Sequence, residues 1–280
     1  MISVYDIPDL SPDEFARFAE LIHQKASITL KEHKIVLLSN RLRRRLHELQ
    51  LSDYESYYRY LQSGQDPEEM SRFFEVITTN ETYFWRTTQN FELLKQDLMP
   101  AILADHPGRE IHFWSAGCSS GEEPYNLAME LVEGMKQLGP FPFTIRASDL
   151  SERMVQFARE GRYQGRKIDR VPPAILRRYF REDEDNAGHY YVRADVKQRV
   201  AFHAENLFET RVGPFHCIFC RNVMIYFSRQ DQLKLVSRFY EALLPGGYLV
   251  IGHSESLHMF DTPFETRQFA NGVAYHKKRV

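Results

Sequence analysis

A chain of 280 residues can bury a substantial core, and we expect one large domain with a smaller one. Apolar residues make up 43% and aromatic residues 13% of the chain, which excludes a disordered protein. The formal net charge of −2 gives no overall argument for nucleic acid or a membrane as partner, so a charged partner must be bound by a local patch.

The N-terminal stretch MISVYDIPDLS lacks the basic and apolar regions of a secretion signal, and runs such as YLVIG are too short to span a bilayer. Cys118, Cys217 and Cys220 do not form a disulfide framework. Cys217 and Cys220 stand three apart in FHCIFC, a predicted buried strand, which places them on opposite faces as core residues. We expect a cytoplasmic protein without direct membrane insertion.

Residues 1–76 show only helical patterns. SPDEFARFAELIHQKA begins with Ser11 as an N-cap, followed by proline and acidic residues, and SDYESYYRYLQSG begins in the same way from Ser52. Between them, HKIVLLSNRLRRRLHELQL places five apolar residues on one helical stripe: Ile35, Leu38, Leu42, Leu46 and Leu49. The pattern predicts an all-helical N-terminal domain.

A cationic cluster flanks that stripe and consists of Lys34, Arg41, Arg44 and Arg45, with only Glu48 nearby in the sequence. Like charges grouped on one helix flank are destabilising unless a partner compensates them. Two interpretations stay open: the cluster is a solvated face, or it is a docking surface for an acidic partner. In the second case Arg41, Arg44 and Arg45 are the candidate substrate-binding residues.

From residue 110 to residue 280 the predicted elements alternate between strand and helix. IHFWSAG, FTIRASD, HCIFCRN and GGYLVIGHSE are the predicted strands, and this alternation is typical of a doubly wound, mostly parallel α/β sheet. FETRQFANGVAYHKK predicts a hairpin at Asn271-Gly272 that adds an antiparallel strand. Short strands at about 161–204 predict a small antiparallel β insertion, and residues 77–109 bridge the two domains.

The segment FWSAGCSSGEEPYNLAM predicts a buried strand, a glycine loop and a helix start, which together usually bind a nucleotide. Gly117 and Gly121 are spaced G-x-x-x-G and no Lys-Ser/Thr follows, so neither nucleotide fingerprint is present. Glu122 and Glu123 would also repel a pyrophosphate at the helix N-terminus. The loop therefore favours a ligand without phosphate that carries a positive charge.

Asp149 follows the next predicted strand, at the place where an acidic residue commonly accepts hydrogen bonds from ribose hydroxyls. A ribose, a positive charge and no phosphate together describe S-adenosylmethionine. The same carboxylate is also compatible with a capping role at the strand end. The histidines are scattered without the spacing of metal ligands, so we expect no metal.

Six segments occur in an order that resembles a known family: TTNETYFWR (78–86), WSAGCSSGEEPYNLAM (114–129), SDLS (148–151), NLF (206–208), FCRNVMIYF (219–227) and GGYLVIGHSESL (246–257). Over essentially its whole length the chain resembles the CheR family, the bacterial chemoreceptor glutamate O-methyltransferases. It departs from the family at Trp85, where a phenylalanine is common, and at Cys118-Ser119-Ser120. The resemblance implies the class I S-adenosylmethionine-dependent methyltransferase fold.

The resemblance also implies roles for individual residues. The implied cofactor contacts are Asn80, Thr82, Arg86, Glu123, Asp149, Asn206, Leu207, Arg221 and Asn222. Arg86 and Tyr226 are the candidate catalytic residues, with Arg86 contacting either the acceptor or the carboxylate of the cofactor. Other interpretations exist, since Thr82 could cap a helix and Arg221 could be a structural ion-pair partner.

The acceptor in this family is a glutamate side chain, whose unperturbed pKa of about 4.3 leaves it deprotonated, so no general base is required. The implied partners are the cytoplasmic methylation helices of chemoreceptors and, in some members, a receptor C-terminal peptide bound at the β insertion. The products are a glutamate methyl ester and S-adenosylhomocysteine.

Two other functions compete with this one. A methyltransferase acting on nucleic acid or on nitrogen usually carries a Pro-Pro-aromatic segment after the fourth strand, where this chain has RNVMIY without proline. A nucleic-acid enzyme would also interleave aromatic and basic residues, which the basic helix does not. A non-catalytic receptor adaptor would need Asp149 but not Arg86 and Tyr226 together.

Overall fold

The computed structural model describes residues 7–78 and 80–279, which divide into two compact units. The helical unit extends through Asn80 and also includes Tyr226–Asp231. The sheet unit comprises Glu81–Ile225 and the chain from Gln232 onward. Most of the predicted bridging segment 77–109 therefore belongs to the sheet unit, and the contribution of Tyr226–Asp231 to the helical unit was not predicted.

Within the described residues of the helical unit there are four α-helices: α1 (Pro12–Ala26), α2 (Ile35–Glu48), α3 (Tyr54–Ser63) and α4 (Glu69–Ile77). The N-cap of α1 is Ser11, as predicted, and forms a capping box with Glu14. The N-cap of α3 is Asp53 instead of the predicted Ser52, because the Asp53 carboxylate accepts the Ser56 amide at 2.7 Å.

The core of the helical unit forms around the predicted stripe of α2. Leu38, Leu42 and Leu46 are buried, while the two ends of the stripe are half-buried. Phe18 of α1 and Phe73 of α4 lie 6.1 Å apart between ring centroids and belong to the same aromatic cluster. The amphipathic pattern of α2 therefore determines how the unit packs.

Tyr226–Asp231 joins the helical unit through main-chain and side-chain contacts. The Thr29 amide donates to the Tyr226 carbonyl at 2.8 Å, and Ile28 forms an antiparallel bridge with Phe227. His23 Nε2 lies 2.9 Å from the Asp231 carboxylate. These contacts join residues far apart in the sequence, which periodicity along the chain does not reveal.

The sheet unit begins with α5 (Gln89–Leu93), a π-helical segment (Leu94–Leu98) and α6 (Met99–Asp105). Its parallel strands are β1 (Ile111–Ala116), β2 (Phe143–Asp149), β6 (Val200–Ala204), β7 (Phe215–Cys220) and β8 (Leu243–Ile251), and the antiparallel hairpin is β9 (Glu265–Phe269) and β10 (Gly272–His276). The remaining helices are α7 (Glu122–Leu138), α8 (Glu152–Glu160), α9 (Pro173–Tyr179), α10 (Ala194–Lys197) and α11 (Arg229–Ala242).

The seven strands lie in the order β6-β2-β1-β7-β8-β10-β9. Pairing is parallel from β6 to β8, and β10 runs antiparallel to both β8 and β9. The predicted doubly wound, mostly parallel sheet and its closing hairpin are confirmed, with the turn at Ala270-Asn271 and Gly272 as the first residue of β10. β1 lies between β2 and β7, where the direction of winding reverses.

A second sheet of three antiparallel strands forms the insertion: β3 (Arg162–Gln164), β4 (Phe180–Glu182) and β5 (His189–Val192), in the order β3-β5-β4. The predicted range of about 161–204 is wrong at its C-terminal end. β6 pairs with β2 in the large sheet, and its Val200 and Phe202 are buried there. The alternating pattern of β6 is compatible both with a strand of the small insertion sheet and with an edge strand of the large sheet. The sequence alone therefore did not assign β6 to the large sheet.

All three cysteines are free and buried. Burial raises the pKa of each thiol above its ordinary value. Cys217 and Cys220 are therefore core residues, as predicted. No helix within 7–78 and 80–279 has both the length and the apolar character needed to cross a bilayer.

Candidate functional site

Several of the predicted cofactor contacts follow the carboxyl ends of parallel strands. Asn206 follows β6, Asp149 ends β2, Glu123 lies in the helix after β1, and Arg221 follows β7. Because these strands are neighbours in the order β6-β2-β1-β7, the topology brings the four residues to one edge of the sheet. Ligands of open α/β sheets bind at this edge, where the winding reverses.

The glycine loop between β1 and α7 is held tightly against its surroundings. The amides of Gly117 and Cys118 both donate to the Ser148 carbonyl, at 2.8 and 2.9 Å. Gly117 and Gly121 have φ values of +80° and +92°. A Cβ on Gly117 would lie 2.4 Å from Val223, so a side chain there would push the β7 loop away. Both glycines are needed for the loop conformation.

Glu122, the first of the two glutamates, is a buried structural residue. Its carboxylate pairs with the Lys167 ammonium and accepts a hydrogen bond from Ser120 Oγ. Burial raises the pKa of Glu122, and the pairing with Lys167 opposes that rise. Its negative charge is therefore compensated within the protein and does not face a ligand.

Glu123, the second glutamate, is largely buried and also paired. Ser115 Oγ donates to Glu123 Oε1 at 2.7 Å, and Arg221 Nη1 donates to Oε2 at 3.1 Å. The other terminal nitrogen of Arg221 donates to the Arg86 carbonyl, whereas its buried Nε has no partner within the described residues. Arg221 is thus an ion-pair partner, as one interpretation held, and it links the glycine loop to the segment that carries Arg86.

Asp149 anchors the turn after β2 and the glycine loop at once. Its carboxylate accepts the Ser119 amide at 2.7 Å on one oxygen and the Ser151 amide at 3.0 Å on the other. Burial raises the pKa of Asp149, and these amide hydrogen bonds oppose that effect. Each carboxylate oxygen has a second lone pair, so the group retains acceptor capacity for ribose hydroxyls.

We expect Asp149→Ala to weaken S-adenosylmethionine binding by about 1.5–3 kcal/mol, the range for hydrogen bonds to a charged acceptor. Isothermal titration calorimetry measures this directly. Asp149→Asn is the matched control, because it keeps one acceptor oxygen for the turn and removes the charge. Wild-type affinity in the alanine variant would remove Asp149 from the ribose site.

The residues around Arg86 have a strained backbone. Trp85 and Thr87 have φ values of 59° and 60°, which are uncommon for residues other than glycine, and Thr87 is β-branched. The Phe84 amide donates to the Lys167 carbonyl at 2.9 Å, and the Trp85 amide donates to Asn126 Oδ1 at 2.7 Å. These hydrogen bonds stabilise the strained backbone conformation of the segment. Strained backbone that is stabilised by its surroundings is typical of functional sites.

The Arg86 side chain is half-buried and contains donors that the protein does not fully use. One terminal nitrogen donates to the Glu81 carbonyl at 2.8 Å. No carboxylate within the described residues forms an ion pair with the guanidinium. Arg86 is therefore available to bind a carboxylate from a ligand.

Asn80 and Tyr226 lie in the helical unit, unlike the other predicted contacts. Asn80 Nδ2 donates to Thr78 Oγ1 at 3.1 Å. Tyr226 is half-buried and ends the 3₁₀ turn Met224–Tyr226. The neighbouring Thr82 is half-buried in the sheet unit.

The loops after β6 and β7 hold the remaining predicted contacts. Asn206 accepts the Phe208 amide at 3.0 Å, and Leu207 is buried. Asn222 has a φ of +60°, so the chain turns sharply after Arg221. The sequence predicted where these residues lie but not their local bonding.

Glu255, which the sequence analysis did not select, fixes the loop after β7. Its carboxylate accepts three backbone amides, from Gly252 at 2.7 Å, Asn222 at 2.9 Å and Val223 at 3.1 Å. A Cβ on Gly252 would lie 2.6 Å from the carboxylate, so only glycine fits there. An acidic residue shortly after a strand was the available signal, as at Asp149. Glu255 therefore ties the ends of β7 and β8 together and positions Arg221.

The cationic cluster of α2 is not uniformly exposed. Arg45 is buried and pairs with Glu69 of α4 as well as with Glu48, so the prediction of Arg45 as a docking residue with only Glu48 nearby is wrong. Arg41 is half-buried and donates to the Ile77 carbonyl. Burial lowers the pKa of Arg41, and Tyr226 lies close enough to oppose that effect. Arg44 is exposed.

The residues at the carboxyl edge fit S-adenosylmethionine. The glycine loop leaves no space for side chains, and Glu123, Asp149 and Arg221 supply both signs of charge for a ligand with a cationic centre and a carboxylate. No cluster of three or more metal-ligating side chains occurs in the described parts of the chain.

Comparisons with known proteins match both units. Residues 80–273 match the family described as CheR methyltransferase, SAM binding domain, and residues 13–78 match its all-alpha domain. The chain is 38% identical to the chemotaxis protein methyltransferase of Escherichia coli, covering 92% of this chain and 89% of that protein. It is 33% identical to chemotaxis protein methyltransferase 2 of Vibrio cholerae, over 96% and 94% of the two chains. For chemotaxis protein methyltransferase 1 of Pseudomonas aeruginosa the identity is 34%, over 95% and 98%.

Proposed function

The chain belongs to the CheR methyltransferase family. We propose that it acts in the cytoplasm, where it methylates glutamate side chains of membrane chemoreceptors and so serves chemotactic adaptation. It is an S-adenosylmethionine-dependent methyltransferase. One observation carries the choice of a carboxylate acceptor: Arg86, on a strained and anchored segment, has no carboxylate partner within the described residues.

When bound, S-adenosylmethionine would supply an electrophilic methyl group on a positively charged sulfur, with a neutral thioether as the leaving group. Asp149 would hold the ribose, and Glu123 with Arg221 would hold the charged amino-acid end. Asn206 and Leu207 would line the adenine, and Asn80, Thr82 and Asn222 would complete the site. No metal is required for any of these contacts.

The protein does not need a base, because a glutamate acceptor with a pKa of about 4.3 is already ionised at neutral pH. Its residues must instead orient the carboxylate and remove water from it. We assign orientation to the Arg86 guanidinium and the Tyr226 hydroxyl. The two residues before Arg86 in the sequence, Phe84 and Trp85, are buried in the apolar core of the sheet unit and so anchor this segment.

The bond that forms distinguishes this function from nitrogen methylation. Labelled methyl transferred to receptor fragments should be released by mild alkali as volatile methanol, because a carboxylate yields an ester. Fragments whose target glutamates are changed to alanine should take up no label. Alkali-stable label, or label on nucleic acid, would overturn the proposed function, and cofactor binding without any transfer would favour an adaptor.

We assign receptor docking to one face of α2. Arg44 and Lys34 are exposed, and Leu37 lies about two turns before Arg44 on the same face, with 41% of its surface exposed. A face that combines apolar and cationic side chains suits a helix rich in glutamate. Arg41 contributes as a half-buried cation beside Arg44, whereas Arg45 is buried and does not.

Reversing the charge of Arg44 should reduce receptor methylation without changing cofactor affinity. We expect Arg44→Glu combined with Lys34→Glu to lower kcat/KM for receptor fragments about tenfold or more, and methylation by the parent should fall with added salt. Arg59→Glu, at an exposed position of α3, is the matched control and should act like the parent. Normal methylation by the double variant would show that the face is only solvated.

We assign a second receptor contact to the three-stranded insertion sheet. β3 and β4 are its edge strands, and an extended receptor C-terminal peptide would add to such an edge through main-chain hydrogen bonds. A bound tether would raise the local concentration of acceptor without any new contact at the reacting atoms.

A further inference from the structure

Arg170, in the insertion, has no part in the reaction proposed above. It is exposed and follows the 3₁₀ turn Gly165–Lys167. Its guanidinium carbon lies 4.7 Å from the centroid of the Tyr83 ring, and its Nη1 donates to the Tyr83 hydroxyl at 3.3 Å. The Arg86 guanidinium carbon lies 5.9 Å from the same centroid. Two arginines from distant segments thus share one aromatic ring.

The two segments are joined by the main chain as well as by the ring. The Phe84 amide donates to the Lys167 carbonyl at 2.9 Å, so residues 83–86 are fixed to the turn that precedes Arg170. The Lys167 ammonium forms an ion pair with Glu122, so its charge is already compensated. Lys167 therefore connects the turn before Arg170 both to the segment that carries Arg86 and to Glu122 at the end of the glycine loop.

Neither guanidinium is neutralised by the described residues. Glu81 and Asp169, the acidic residues nearest to them in the sequence, are exposed and form no ion pair with Arg86 or Arg170. Two like charges on one ring repel each other, and the attraction of each for the ring face compensates only in part. An anionic ligand that contacts both arginines would remove this repulsion.

We propose that Arg86 and Arg170, held by Tyr83, form a two-arginine clamp that selects acceptor segments with neighbouring carboxylates. Arg86 contacts the glutamate that accepts the methyl, and Arg170 contacts a second acidic side chain on the same helix, where side chains three or four residues apart are neighbours. The clamp rests on the proposed function and names Arg170 as a specificity residue for acidic surroundings of the target glutamate.

The test compares Arg170→Glu with Arg177→Glu, an exposed arginine of α9 in the same insertion with no contact to Tyr83. Each variant is assayed on a receptor fragment and on the same fragment with the acidic neighbours of the target changed to glutamine. We expect Arg170→Glu to raise KM for the acidic fragment at least tenfold. On the neutralised fragment the effect should shrink to about twofold, and Arg177→Glu should match the parent throughout. S-adenosylhomocysteine affinity should be unchanged in both variants.

A second measurement does not depend on methyl transfer. Fluorescence anisotropy compares binding of a glutamate-rich helical peptide and its glutamine counterpart to the parent and to Arg170→Glu. The clamp is supported if the parent prefers the acidic peptide and the variant loses that preference. Equal charge preference in both proteins, or equal KM effects on both fragments, would overturn it. A parent that binds the acidic peptide through Arg170 but transfers no methyl would overturn the proposed function instead.

Discussion

Replacing Glu69 by alanine should lower the free energy of unfolding by about 3–5 kcal/mol, because it leaves the charge of buried Arg45 without its main partner. Glu69 is 1% exposed and accepts hydrogen bonds from Arg45 Nε at 3.0 Å and from the Tyr57 hydroxyl at 2.8 Å. Burial would lower the pKa of Arg45, but hydrogen bonding to Glu69 and its charge outweigh this and raise it. Urea unfolding of the full chain gives the measurement.

Two comparisons make that result specific. Glu48→Ala removes the other, exposed partner of Arg45 and should cost less than about 1 kcal/mol, as surface ion pairs do. Replacing Arg45 and Glu69 together by methionine should be less destabilising than Glu69→Ala, because no unpaired charge remains buried. Equal stability of the Glu69 and Glu48 alanine variants would contradict the role assigned to Glu69.

The main partner of Arg45 is not contained in the sequence of α2. Helical phase placed Arg45 next to the apolar stripe of α2, which is correct for its position on that helix. Whether such a residue faces solvent depends on what packs beside it, and Glu69 comes from α4. A pattern along one helix does not contain the contacts made by another helix, so a buried ion pair was interpreted as a docking charge.

The carboxyl edge of the sheet was predictable for the opposite reason. Parallel strands place the residues that follow them at a common edge, so Asp149, Arg221 and Asn206 were located once the strands were recognised. The bonding of Glu122 and Glu123 was not predictable, because Lys167 and Arg221 come from elsewhere in the chain. These two cations compensate the negative charges of Glu122 and Glu123 next to the predicted ligand site.

Arg86→Ala should lower kcat for receptor methylation by roughly 10²–10³-fold, the range for removing one charge-stabilising donor from an active site. Arg86 lies between Trp85 and Thr87, both with positive φ, and its carbonyl accepts a hydrogen bond from Arg221, so its backbone is fixed on both sides. Arg86→Lys keeps the charge but loses the planar pair of donors, and it should recover only part of the activity.

Calorimetry with S-adenosylhomocysteine separates the two roles that remain open for Arg86. Contact with the acceptor carboxylate predicts a low kcat in Arg86→Ala with cofactor affinity within about twofold of the parent, a change of less than about 0.5 kcal/mol. Contact with the cofactor's own carboxylate predicts a loss of affinity that accompanies the loss of turnover. Our proposal is the acceptor contact, because Arg86 shares the Tyr83 ring with Arg170 and has no carboxylate partner within the described residues. Tyr226→Phe should lose only part of the activity, through poorer alignment of the acceptor. Full activity of Arg86→Ala would remove this residue from the reaction and leave the clamp without its catalytic half.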